Sequence, residues 1–226
     1  MVFDPSKFVA PTAKPIPVVL LLDISYSMSG APIDQLNKAV REMISSFSSS
    51  ETSEIEIQLS VITFGAEVKL HTPYTSATDI EWEDLSVNGA TPMGTALKMA
   101  KAMIEDKEVT PSRAYRPTIV LVSDGGPTDE WESPLNEFIQ DGRSSKCDRM
   151  AVAIGDGADR SVLNRFIEGC EYPLFTPDNA SDIRDSFRYI TMSVTARSKS
   201  QNPNKVVNVS AQAEQKTPEY EDDELF

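Results

Sequence analysis

Asp23, Ser25 and Ser27 stand at alternate positions directly after the apolar run Val18-Val19-Leu20-Leu21-Leu22, so three oxygen-bearing side chains of one short loop can turn toward a single point. Two further oxygen donors hold comparable places later in the chain: Thr91 in Gly89-Ala90-Thr91-Pro92-Met93-Gly94, and Asp124 in Val122-Ser123-Asp124-Gly125-Gly126. Two carboxylates and three hydroxyls, without thiol or imidazole, suit a hard divalent cation that wants oxygen ligands and keeps several waters. Mg²⁺ is the expected occupant, with Mn²⁺ or Ca²⁺ as substitutes. The competing reading is local: Asp23, Ser25 and Ser27 would cap the next helix, and Thr91 would cap another. The arrival of Thr91 and Asp124 from separate segments favours the cation, and Gly125-Gly126 is expected to let the backbone close in.

The elements that must carry these residues alternate in type. Val18 to Leu22 and Thr118 to Val122 are continuous apolar runs, the pattern of parallel strands buried on both faces. Between them, Ile33, Leu36, Val40, Met43, Ile44 and Phe47 recur at helical spacing after Pro32, and Met93, Ala96, Leu97, Ala100, Met103 and Ile104 do so from a start near Thr91. Glu54 to Phe64 and Glu67 to Tyr74 read as a hairpin whose second arm lies at a sheet edge. A helix opening at Ser133-Pro134, a strand over 150–154, a short helix over 161–167, a strand over 173–175 and a helix over 181–194 complete the series. This order predicts a doubly wound α/β fold: a six-stranded, mostly parallel sheet with one antiparallel edge strand and helices on both faces. Ligands of such sheets bind beyond the C-terminal ends of the strands, which is where all five oxygen donors fall.

Length and composition fit one domain. The chain has 226 residues, of which 40% are hydrophobic and 25% charged. We divide it into a proline-rich arm (1–16), a folded domain (17–195) and a polar, acidic tail (196–226) expected to be disordered in isolation. A net charge of −14 disfavours nucleic-acid and anionic-membrane partners. Without a signal-peptide pattern or an apolar run long enough to span a bilayer, a cytoplasmic location is expected. Cys147 and Cys170 have neither metal-ligand nor redox-motif spacing and read as thiols packed in or near the core.

With its motif read as Asp23-x-Ser25-x-Ser27, then Thr91, then Asp124, the sequence resembles the von Willebrand factor A domain and its metal-ion-dependent adhesion site over roughly Pro17 to Val194. The segments Leu21 to Ile33, Tyr115-Arg116-Pro117 and Asp124 to Asp129 look most like the bacterial tellurite-resistance TerY-like group. The resemblance implies a non-enzymatic module of a stress-response or defence system that binds a protein partner through a carboxylate placed on the metal. Kinase-like or phosphatase-like partners accompany that group. It also implies that Ser25 and Ser27 touch the metal directly while Thr91 and Asp124 exchange between direct and water-mediated contact.

Other readings stand beside this one. A phosphatase of the haloacid dehalogenase type would use Asp23 as nucleophile and an aspartate two residues on as acid and base, a position held here by Ser25. A structural scaffold could hold an idle metal. The acidic run Glu219 to Glu224 is either a solvated end or a carboxylate donor to the metal of its own or a neighbouring copy, which would give self-association. Asp129 reads as a turn or cap residue, His71 as an edge-strand residue remote from the site, and Trp82 and Trp131 as packing residues.

Overall fold

The computed structural model describes residues 13–205. Six strands, β1 (Lys14–Asp23), β2 (Ile55–Phe64), β3 (Val68–Ser76), β4 (Thr118–Ser123), β5 (Asp148–Ala153) and β6 (Leu174–Phe175), form one sheet in the order β3-β2-β1-β4-β5-β6. All neighbours are parallel except β2 and β3. The described residues also form five α-helices: α1 (Ala31–Ser48), α2 (Met93–Glu105), α3 (Glu132–Gln140), α4 (Arg160–Phe166) and α5 (Asp182–Ser198). The doubly wound architecture expected from the alternating pattern is therefore the one observed.

Strand alternation divides the core in two. Val18, Leu20 and Leu22 of β1 face α1 and α5, packing with Leu36, Val40, Phe47, Phe187 and Ile190. Val19 and Leu21 face the opposite way, toward Leu97, Ala100, Phe138 and Phe166 of α2, α3 and α4. Because successive strand residues point to opposite faces, an uninterrupted apolar run is what a strand covered by helices on both sides requires.

Regular secondary structure runs past both ends of residues 17–195. β1 begins at Lys14, so Pro15 and Pro17 lie inside a strand. They are tolerated because β1 pairs with β2 along its whole length but with β4 only from Val18 onward. Residues i and i+2 direct their backbone groups to the same side, and Pro15 accepts from the amide of Tyr115 rather than from β2. The missing proline N–H groups thus face the side where no strand is yet paired. At the other end α5 runs to Ser198, and the 1% exposed Arg197 is tied to the segment after the helix by a hydrogen bond from its Nε to the Pro203 carbonyl. The expectations for residues 1–12 and 206–226 lie outside the described residues.

Candidate metal centre

β1 and β4 are adjacent and in register, with Leu22 opposite Val122, so Asp23 and the Ser123-Asp124 pair leave the sheet side by side. The Asp23 carboxylate is fully buried. Its Oδ1 accepts from the Ser25 amide at 2.8 Å and its Oδ2 from the Ser123 hydroxyl at 2.6 Å. The Ser25 and Ser27 hydroxyls lie 2.9 Å apart, and Ser27 Oγ donates to Asp124 Oδ1 at 2.7 Å. Four of the five expected residues therefore form one connected cluster of oxygen atoms, running from buried Asp23 and Ser25 to exposed Ser27 and half-buried Asp124.

Thr91 reaches this cluster through the backbone. The loop after β1 is stitched to residues 88–89 by hydrogen bonds from Asn88 N to Ile24 O (2.7 Å) and from Tyr26 N to Gly89 O (3.1 Å). Gly89 has φ +65°, and a Cβ there would lie 2.2 Å from Ala66 N, so only glycine lets this segment pass the connection between β2 and β3. Two residues on, Thr91 donates its amide to Thr128 Oγ1 (3.0 Å) and accepts the Thr128 amide (2.9 Å), which joins the second loop to the one after β4. A Cβ added at Gly125 would sit 3.8 Å from Thr91 Oγ1, which places that 5% exposed threonine beside Asp124. Among the described residues the Thr91 hydroxyl makes no hydrogen bond to the other four.

Several local expectations are corrected. Thr91 does not cap α2: Pro92 holds the cap position, and Asp129 takes the Gly94 and Thr95 amides at 2.9 and 2.8 Å. The tight glycine is not at 125 or 126, where an added Cβ would meet only ordinary contacts, but at Gly94, where it would lie 2.0 Å from the Glu130 carbonyl oxygen. Helix α3 begins at Glu132, one residue before Ser133. His71 contacts the Glu83 carbonyl and the Trp82 ring on the edge strand, as a remote residue should. Ser123, Thr128 and Asn88, which orient the loops, were not singled out by the motif. The role of Ser123 follows from the pairing of β4 with β1, which its own sequence context does not show.

The electrostatics are one-sided. Burial pushes the Asp23 carboxyl above its ordinary range, its serine donors oppose this, and the Asp124 charge adds to the rise. Burial raises the Asp124 carboxyl as well, against the Ser27 hydrogen bond. Neither carboxylate is within ion-pair distance of a Lys or Arg among the described residues. Two partly dehydrated negative groups joined by hydroxyls, with no Lys or Arg of the described residues paired to them, fit an external hard divalent ion. Among the described residues no three His, Cys, Asp or Glu side chains gather as a metal cage, so such an ion would rely on the hydroxyls.

Known proteins share this fold. The profile of the von Willebrand factor type A domain matches residues 18–188. The chain belongs to the von Willebrand factor type A family. No curated protein matches it in sequence. Among solved structures, the ArnB paralog VWA2 from Sulfolobus acidocaldarius is 17% identical with a TM-score of 0.59, covering 78% of this chain and 45% of that one. Proximal thread matrix protein 1 from the mussel byssus, solved with a zinc-occupied MIDAS motif, is 18% identical with a TM-score of 0.62, covering 81% and 46%. The vWF domain of the type V pili tip protein Mfa5 from Porphyromonas gingivalis is 13% identical with a TM-score of 0.56, covering 81% and 96%. The chain spans less than half the length of the first two, and all three show likeness of fold. Domains of the von Willebrand factor type A family are commonly metal-dependent protein-interaction modules. No described helix is long and apolar enough to cross a membrane.

Proposed function

We propose that this von Willebrand factor type A domain binds a protein partner through a divalent cation, Mg²⁺ by preference, held by Asp23, Ser25, Ser27, Thr91 and Asp124. The observation that carries the reading is the pair of buried or half-buried carboxylates, joined through serine hydroxyls and raised in proton affinity by burial, with no Lys or Arg of the described residues within ion-pair distance. A bound ion would supply the positive charge that lets a third carboxylate, from the partner, approach this acidic spot. Asp23 is the fixed anchor, buried and oriented by Ser25 and Ser123. Ser27 and Asp124 lie at the accessible side, where the partner would arrive. Tyr26, 68% exposed between the two serines, offers an aromatic contact beside the site.

We read the domain as non-enzymatic. The position that a dehalogenase-type phosphatase fills with its acid and base is Ser25, which has no useful proton to exchange near neutral pH. The narrower resemblance to the TerY-like group would place the domain in the cytoplasm of a bacterium, in a stress-response or defence system with kinase-like or phosphatase-like partners. It rests on the sequence segments around Asp23 and Asp124.

Capture of proteins on the immobilised domain tests the reading. We expect a partner retained in Mg²⁺, released by a chelator, and not retained by Asp23→Ala. Retention of the same proteins in chelator and by the variant would remove the metal from the interaction, and steady turnover of a phosphate ester would reinstate the phosphatase.

A further inference from the structure

Positive charge is scarce in this chain, yet three basic side chains meet at the N-terminal edge of the strands, opposite the candidate metal centre. A cleft of about 390 Å³ there has Arg116, Arg143 and Lys146 on its walls and Ile104, Tyr115 and Pro117 among its apolar lining, and no carboxylate of the described residues lines it. Glu105, next to Ile104 on α2, is occupied by the Arg143 and Ser144 amides and by Lys101. Arg143 spends one guanidinium donor on the Ile104 carbonyl, and Arg116 lies 3.2 Å from Asp148 with its side chain 44% exposed. The Lys146 ammonium makes no hydrogen bond or ion pair among the described residues.

The described residues end at this cleft. Arg197 donates to the Pro203 carbonyl at 2.7 Å, and the Arg116 amide donates to Asn204 Oδ1 at 2.8 Å, so Asn204 is itself part of the lining. Beyond Lys205 the sequence continues to Glu219-Tyr220-Glu221-Asp222-Asp223-Glu224, five carboxylates in six residues around one aromatic ring. The fourteen residue steps from Lys205 to Glu219 can reach at most roughly 50 Å. That is enough to fold back over a cleft whose wall includes Asn204. Closing so short a loop costs little and gives an effective concentration on the order of millimolar.

We propose that the acidic segment Glu219 to Glu224 docks in cis on this cleft, with its carboxylates on Arg116, Arg143 and Lys146 and Tyr220 against the apolar lining. Docking there holds the run of carboxylates at the far end of the sheet from Asp23 and Asp124. It does not depend on what the oxygen cluster binds.

Two measurements on the full chain test the docking. Carbodiimide coupling followed by peptide mass spectrometry should join the Lys146 amine to a carboxylate of residues 219–224 within the monomer, and the yield should fall as added salt screens the pairing. A labelled synthetic peptide of residues 214–226 should bind the full chain carrying E219Q, E221Q, D222N, D223N and E224Q about tenfold or more tighter than it binds the wild type, whose own segment competes. Adding Lys146→Glu, a change at an exposed side chain without partners among the described residues, should abolish that gain. Equal affinity for wild type and neutralised chain, a gain that survives Lys146→Glu, or coupling found only between two copies would overturn docking in cis.

Discussion

Asp23 and Asp148 lie at opposite strand ends of one sheet, are 0% and 5% exposed, and are treated differently. Asp148 opens β5 with Arg116 3.2 Å from one carboxylate oxygen and Arg197 3.2 Å from the other. Arg197 itself is held by hydrogen bonds to Thr118 Oγ1 and to the Arg116 and Pro203 carbonyls. Burial lowers the proton affinity of this arginine and the Asp148 charge opposes the shift, as expected of a pair formed within the fold. Asp23 closes β1 with hydroxyl and amide donors alone among the described residues, and the charge that acts on it is another carboxylate, Asp124. A buried charge that serves the fold is neutralised by the fold. One left without a counter-charge points to a counter-charge from outside.

Substitutions at the two ends should separate these roles. Asp148→Ala leaves the buried Arg197 uncompensated and should cost about 3–5 kcal/mol in chemical denaturation. Asp23→Asn, measured in chelator, should cost less than about 1 kcal/mol, because an amide can still accept from Ser25 and donate to Ser123 while a dehydrated charge is removed. Equal losses at both sites would erase the distinction. Cys147, whose thiol burial pushes up to about 12, adjoins Asp148 and gives a second readout: it should resist alkylation at pH 8 in the wild type and react in Asp148→Ala.

The next effect is smaller and confined to the metal end. Ser123→Ala removes the donor to Asp23 Oδ2 and should weaken divalent-cation affinity by about 10–100-fold, with little change in chelator. Titration calorimetry would read it, and an unchanged affinity would mean that Ser123 orients nothing the ion uses.

The smallest effect is in pH dependence. Asp23 and Asp124 have folded proton affinities raised above the ordinary carboxyl value of 3.8, so the folded chain keeps protons that the unfolded chain has released. In chelator their contribution to stability should decline as pH rises from that value through the raised ones. Asp23→Asn should flatten the decline. A contribution that grows over the same interval would show that these carboxylates are already compensated by the protein.

Much of this layout is legible in sequence because the central strands advertise themselves. Val18 to Leu22 and Thr118 to Val122 are apolar without interruption, and their ends bring Asp23 and Asp124 together in any parallel sheet that makes them neighbours. The true ends of the domain are not legible in the same way. Pro15 and Pro17 argue against a strand unless it is known that β4 begins opposite Val18. The polar stretch around Arg197 reads as tail because its partners, Thr118 and Asp148, are 79 and 49 residues away in sequence. The same limit applies to Ser123 and Thr128, whose roles depend on which loops adjoin.

Titration of the chain with Mn²⁺, followed by the electron paramagnetic resonance of free ion and by water-proton relaxation, tests most directly whether the oxygen cluster awaits an external cation. We expect one ion per chain with exchangeable water retained on it, and loss of that binding in both Asp23→Asn and Asp124→Asn. Binding undiminished in either variant, or no binding by the wild type, would contradict the reading of Asp23 and Asp124 as a cation site.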